Sequence, residues 1–155
     1  MCEFVKSISH TKDFAIGIPV SELFPLFSPE GEKLWTPDWD YENVMGSTEL
    51  SEDYVFLTKT HDHRVKDAIW IVKKYDPAKY FVQFYKIEPE EKIGVVTVEC
   101  RELGSERANV KVTYKYTALS ARGENFISEF DDNMYDALIN EWQTLLLNYW
   151  KGRGV

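Results

Sequence analysis

The sequence predicts an α+β fold: a seven-stranded antiparallel sheet curled around one long C-terminal helix, with two short helices between the first two strands. Three observations carry this. First, Phe126, Phe130, Met134, Ala137, Leu138, Trp142, Leu145, Leu146 and Tyr149 recur at helical spacing. Second, the strand-like runs before them are joined by short turns, which makes neighbouring strands antiparallel. Third, those runs alternate apolar and polar residues, so one sheet face is buried. Only the terminal helix is long enough to cover that face. At about 26 residues and ~1.5 Å per residue it spans roughly 40 Å.

Residues 4 to 18 read as the first strand, with Phe4, Ile8, Phe14, Ile16 and Ile18 on one parity. Pro19 ends it. Val20 to Phe27 suits a short helix that Pro25 distorts or shortens. Ser28-Pro29-Glu30 starts a second: Ser as N-cap, Pro in the first turn, acid beside the positive end of the dipole. It ends near Trp35, and TPDWD follows as a turn carrying Trp39.

Six further runs follow. Tyr41 to Met45 is weak, and Gly46 to Asp53 is a polar loop. Tyr54 to Thr60 is stronger and turns at His61-Asp62-His63-Arg64. Ala68 to Tyr75 ends at the turn opener Asp76-Pro77. Tyr80 to Ile87 is rich in β-formers, and Pro89-Glu90-Glu91 turns the chain into Ile93 to Arg101. Gly104-Ser105 leads into Val110 to Ala118. In that strand Val110, Val112, Tyr114, Tyr116 and Ala118 share the buried face, while Lys111, Thr113, Lys115 and Thr117 are solvated. Val96, Val98 and Cys100 likewise oppose Thr97, Glu99 and Arg101.

With 155 residues, 44% hydrophobic and 15% aromatic, the chain makes a single domain, 1–155, with ample material for a core. A net charge of −8 argues against a nucleic-acid or anionic-membrane surface, since either needs clustered cations. Cys2 and Cys100 show neither disulfide nor metal-ligand spacing, which suits a reducing cytosol. No signal-peptide run or membrane span is visible. The expected setting is cytoplasmic, without integral membrane association.

The order of elements, together with the segments FAIGIPVSELFPLFSPEGEKLW, TPDWD, IWIVKKYDP and TVECRELGSERANVKVTYKYTALS, resembles the START/Bet v 1-like (SRPBCC) superfamily, the helix-grip fold. The likeness covers the whole chain and points to the polyketide cyclase/dehydrase-like branch of uncharacterised bacterial proteins. It implies an apolar cavity between the concave sheet and the C-terminal helix. The Gly-rich loop of the plant pathogenesis-related branch is missing: Gly46-Ser47-Thr48-Glu49 has a single Gly. Plant-hormone-type ligands therefore lose support.

Few residues suggest chemistry. His61-Asp62-His63 has metal or acid/base potential, but no third ligand follows and a polar hairpin turn explains it. Asp131-Asp132-Asn133 lacks the Gly and distal Glu of a calcium loop, and is read as acids on the outer face of the helix. Ser7, Ser9 and His10 have no nucleophile elbow around them. Cys100 reads as an inert buried thiol. Trp35, Trp39 and Trp70 serve either core packing or a ligand wall. Tyr114 and Tyr116 each bring a hydroxyl to the buried face and need a partner there. They are the best general-acid candidates if the protein is an enzyme.

The expected cavity is therefore walled by Trp35, Trp39, Trp70, Val98, Cys100, Tyr114, Tyr116, Phe130, Met134 and Leu138, with no metal and no cofactor. Its partner would be a hydrophobic or aromatic small molecule or a lipid. The first expectation for function is a binding or transport protein. The alternatives are a cyclase/aromatase-like or dehydratase-like enzyme using the same cavity, and a protein-interaction module.

Overall fold

The computed structural model describes residues 6–60 and 66–153. Phe4, Cys2 and the His61–Arg64 turn lie outside them. The seven strands are β1 (Ser7–Ile16), β2 (Tyr41–Glu42), β3 (Val55–Thr58), β4 (Ala68–Asp76), β5 (Phe81–Glu88), β6 (Lys92–Gly104) and β7 (Arg107–Ala118). They form one antiparallel sheet in the order β1-β7-β6-β5-β4-β3-β2. The meander thus runs from β2 to β7, and β1 closes its far edge against β7.

The short connection after β1 follows its prolines. Helix α1 covers only Val20–Leu23 before Phe24–Phe27 tightens into a 3₁₀ turn around Pro25. Helix α2 (Pro29–Glu32) starts on Ser28, whose hydroxyl accepts from the Gly31 N–H at 3.0 Å. Together these turns bury Leu23, Phe24, Leu26, Phe27 and Trp35 against the open side of the sheet. The core is the concave sheet face, these turns and the C-terminal helices.

The C-terminal helix differs from the sequence expectation. It breaks into α3 (Ala121–Glu129) and α4 (Asp132–Gly152). Phe130 leaves helical geometry, and Asp131 caps α4 by accepting from the Met134 N–H at 2.9 Å. The acids read as the outer face of a continuous helix are instead its interruption. Asp and Asn compete with helical backbone bonds in an interior and favour caps. Periodicity missed this because apolar spacing carries across the break. The break also turns the helix: Tyr135, Ile139 and Leu146 face the sheet, and Met134 lies half exposed rather than against it. The Tyr135 hydroxyl donates to the Val112 carbonyl at 2.5 Å, and Gln143 donates to the Ala15 carbonyl at 3.1 Å, tying α4 to the sheet.

The break is held from β1. Buried His10 donates from Nε2 to the Phe130 carbonyl at 2.7 Å, while its Nδ1 lies 2.9 Å from Asp132 Oδ1. Its ring stacks on Tyr135 at 5.1 Å. Replacing it by Ala leaves a buried carbonyl without a donor. His10→Ala should therefore cost about 1–3 kcal/mol in chemical denaturation. A loss below about 0.5 kcal/mol would show that the break holds without the histidine.

No described helix is long and apolar enough to cross a membrane.

Candidate functional site

A cavity of about 230 Å³ opens between the sheet and α4. Its floor comes from inward-facing positions of the central strands: Trp70, Phe84, Lys86, Val96, Val98 and Tyr114. Its roof is Leu138, Trp142 and Leu145 of α4, with Glu141 at the rim, and its side is Phe27, Glu32, Trp35, Thr36 and Trp39. Strand register explains the floor: Phe84 pairs with Val96 and Val96 with Tyr114, a row of same-face neighbours across three strands.

The indoles are fixed by the protein itself. Trp35 donates to the Leu26 carbonyl at 2.8 Å, Trp39 to the Pro29 carbonyl at 3.0 Å, and Trp70 to Thr58 Oγ1 at 3.0 Å. Trp142 packs edge-on to Trp35 at 5.6 Å and stacks with Phe27 at 5.9 Å. With their N–H groups satisfied elsewhere, three of these rings offer the cavity only aromatic surface.

The polar groups are placed the opposite way. Among the described residues neither the Glu32 carboxyl nor the Tyr114 hydroxyl has a hydrogen-bond partner, although both line the cavity. Thr36 Oγ1 is buried without a partner. Lys86 Nζ lies 4.0 Å from Glu88 Oε2 and 5.3 Å from the centre of the Trp70 ring. Burial pushes the Glu32 carboxyl up to about 8, against a weaker opposing pull from Lys86. Burial likewise pulls the Lys86 ammonium down and raises the Tyr114 phenol well above its ordinary value. At neutral pH Glu32 and Tyr114 therefore both hold protons and can donate.

Next to this cavity a recess of about 370 Å³ runs beneath the α3–α4 break. It shares Lys86, Tyr114, Leu138 and Glu141 with the cavity and adds Tyr116, Phe126, Phe130 and Met134. Gly94 leaves room for the Tyr116 ring: it sits opposite both Lys86 and Tyr116, and a Cβ there would come within 2.8 Å of that ring. Beyond it, buried Lys92 pairs with Glu88 at 3.1 Å and with Glu91, under the face of Phe126 at 3.7 Å.

Trp35, Trp39, Trp70, Val98, Tyr114 and Leu138 thus meet at the cavity, and Tyr116, Phe130 and Met134 at the adjoining recess. Cys100 does not join them. It lies at a separate groove with Lys74, Lys79 and Arg101, and burial pushes its thiol up to about 12, a protonated and unreactive state. Glu32 and Lys86 were not singled out from sequence. Lys86 carries a signal, since it shares the parity of Val82 and Phe84; Glu32, in a four-residue helix, carries none. Among the described residues no three His, Cys, Asp or Glu side chains gather as a metal site.

The sequence matches no family model and no curated protein. The structure is similar to norcoclaurine synthase from Thalictrum flavum, solved with dopamine and hydroxybenzaldehyde, at 10% identity and TM-score 0.66 over 93% of this chain and 88% of that one. It is similar to the Zhui aromatase/cyclase from Streptomyces sp. R1128 at 13% identity and TM-score 0.61, over 93% and 91% of the two chains. It also resembles the di-domain aromatase/cyclase BexL of the BE-7585A biosynthetic pathway, at 16% identity and TM-score 0.65; 90% of this chain aligns with 46% of that one. At such identities the likeness is one of architecture: this chain has the Bet v 1-like helix-grip fold.

Proposed function

We propose that this protein binds a compact, partly aromatic small molecule between the sheet and α4, and holds its polar atoms at Glu32, Thr36, Lys86 and Tyr114. One observation carries the reading. The Trp35, Trp39 and Trp70 indoles have their N–H groups satisfied by the protein, while the Glu32 carboxyl, Thr36 Oγ1 and the Tyr114 hydroxyl between them have no hydrogen-bond partner among the described residues. Thr36 Oγ1, buried without a partner, costs about 1–3 kcal/mol, which a ligand atom in hydrogen-bond range would recover. The cavity sits just below the usual range of about 300–1,000 Å³ for ligand pockets. That favours a compact ring system over a long acyl chain. The solved neighbours named for dopamine, hydroxybenzaldehyde and aromatase/cyclase activity support the same ligand class.

Trp35, Trp39, Trp70 and Trp142 make the test direct. Titration with small hydroxylated and carbonyl-bearing naphthalenes should quench tryptophan fluorescence saturably. Tyr114→Phe and Lys86→Met should each weaken binding about 5- to 20-fold, the equivalent of one lost hydrogen bond. Absence of saturable quenching across such a set would remove the reading.

A second reading, a cyclase- or dehydratase-like enzyme, is favoured by Tyr114 and Glu32, two proton donors facing one apolar cavity. It requires turnover that Tyr114→Phe abolishes while binding persists.

A further inference from the structure

We propose that Lys86 is a reactive amine, and that the cavity takes aromatic aldehydes or ketones by forming an imine at its Nζ. This rests on the binding reading above and names the ligand's reactive group.

The charges around Lys86 are unevenly paired. Four charged groups surround Lys86: Glu32, Glu88, Glu91 and Lys92. Lys92 already holds both Glu88, at 3.1 Å, and Glu91. Lys86 is left at 4.0 Å from Glu88, the long edge of an ion pair, beside a second cation and against the Trp70 ring. Glu32 makes no ion pair with it and stays mostly protonated at neutral pH. A lysine that is desolvated and near another cation loses its proton more readily, and the free amine is the nucleophile.

Placement adds to this. Lys86 lines both the cavity and the adjoining recess, so its nitrogen meets a ligand in either. The step balances without any cofactor. The amine lone pair attacks the carbonyl carbon, and the C=O π electrons pass to oxygen, which takes one of the two nitrogen protons. The resulting carbinolamine loses that oxygen as water, protonated by Glu32 or Tyr114, as nitrogen forms the C=N bond. Loss of the remaining nitrogen proton restores the donor. Amine and carbonyl compound become imine and water.

The test uses the whole protein, 2-naphthaldehyde and sodium cyanoborohydride at neutral pH, with peptide mapping by mass spectrometry. Lys86 should be labelled at least about tenfold faster than Lys115, which is exposed on the outer face of β7. Excess 2-naphthylmethanol, which has the ring but no carbonyl, should protect it. Lys86→Arg has no amine that can form an imine, and should lose the fast adduct. Labelling of Lys86 no faster than Lys115, with 2-naphthylmethanol still bound, overturns the inference and leaves the binding reading standing. Fast labelling that 2-naphthylmethanol does not slow keeps the reactive amine and removes the aromatic-binding reading. Slow labelling without binding of the alcohol overturns both.

Discussion

Gly123→Ala is expected to destabilise the fold by about 3 kcal/mol or more, and to lower the melting temperature by roughly 6–12 °C. Gly123 lies in the first turn of α3, pressed against the turn between β5 and β6. A Cβ there would overlap the Glu91 carbonyl oxygen and come within 2.9 Å of its carbon and 3.3 Å of Ala118 Cα. All three are backbone atoms, so no side chain can swing aside. The same carbonyl accepts from the Leu119 N–H at 2.8 Å, and Ser120 Oγ accepts from the Gly123 N–H at 3.3 Å. Relief would have to break this junction and carry away Arg122, 3.3 Å from Glu91, and Phe126 above Lys92. Gly152→Ala is the control. It lies at the end of α4 with nothing within 4 Å of a new Cβ, and should change stability by no more than about 0.5 kcal/mol. Equal melting temperatures for the two variants would show that α3 does not need this close approach.

What the sequence discloses about this molecule follows the strength of its local signals. Alternation in β6 and β7 is regular, and Val96, Val98, Val110, Val112, Tyr114 and Tyr116 are all buried as it predicts. Short turns fix the meander, and prolines at 19, 25 and 29 place the short helices. The break at Phe130 is harder to see because its residues are ambiguous. Asp131 and Asp132 are acceptable on a helix surface and better at a helix start, and only the packing of Phe130 against His10 and Tyr116 decides. The charged part of the site is hidden by a sound rule. Lysine and glutamate are almost never buried unless paired, so the alternation that continues from Val82 and Phe84 through Lys86 and Glu88 loses its force when charges appear. Lys92 is the sharpest case, 2% exposed at the start of a strand. Three inward-facing charges in sequence on a concave sheet are a departure from apolar patterning, and such departures concentrate where a protein does chemistry.

The second large effect comes from Glu32. In the folded chain its carboxyl is raised by burial from 4.5 to about 8. The sign follows. Below pH 4.5 folded and unfolded chains both carry the proton, and the group costs nothing. Between 4.5 and about 8 the unfolded chain has released it and the folded chain has not, so stability falls as pH rises. Above 8 the folded chain ionises too, and the loss is complete, on the order of 5 kcal/mol. Lys86 acts in the opposite sense: its lowered folded value makes stability fall as pH drops. The clean observable is therefore the difference between Glu32→Gln and the parent protein, in which the Lys86 contribution largely cancels. That difference should be near zero at pH 4.5 and grow in favour of the variant up to pH 8. Parallel stability curves would mean that Glu32 is solvated and that the cavity is wet rather than apolar. A ligand that accepts a hydrogen bond from the protonated carboxyl should bind the parent protein more weakly above pH 8, and Glu32→Gln with little change across the same range. The acid that destabilises the empty protein at high pH is thus the group that makes its ligand affinity depend on pH.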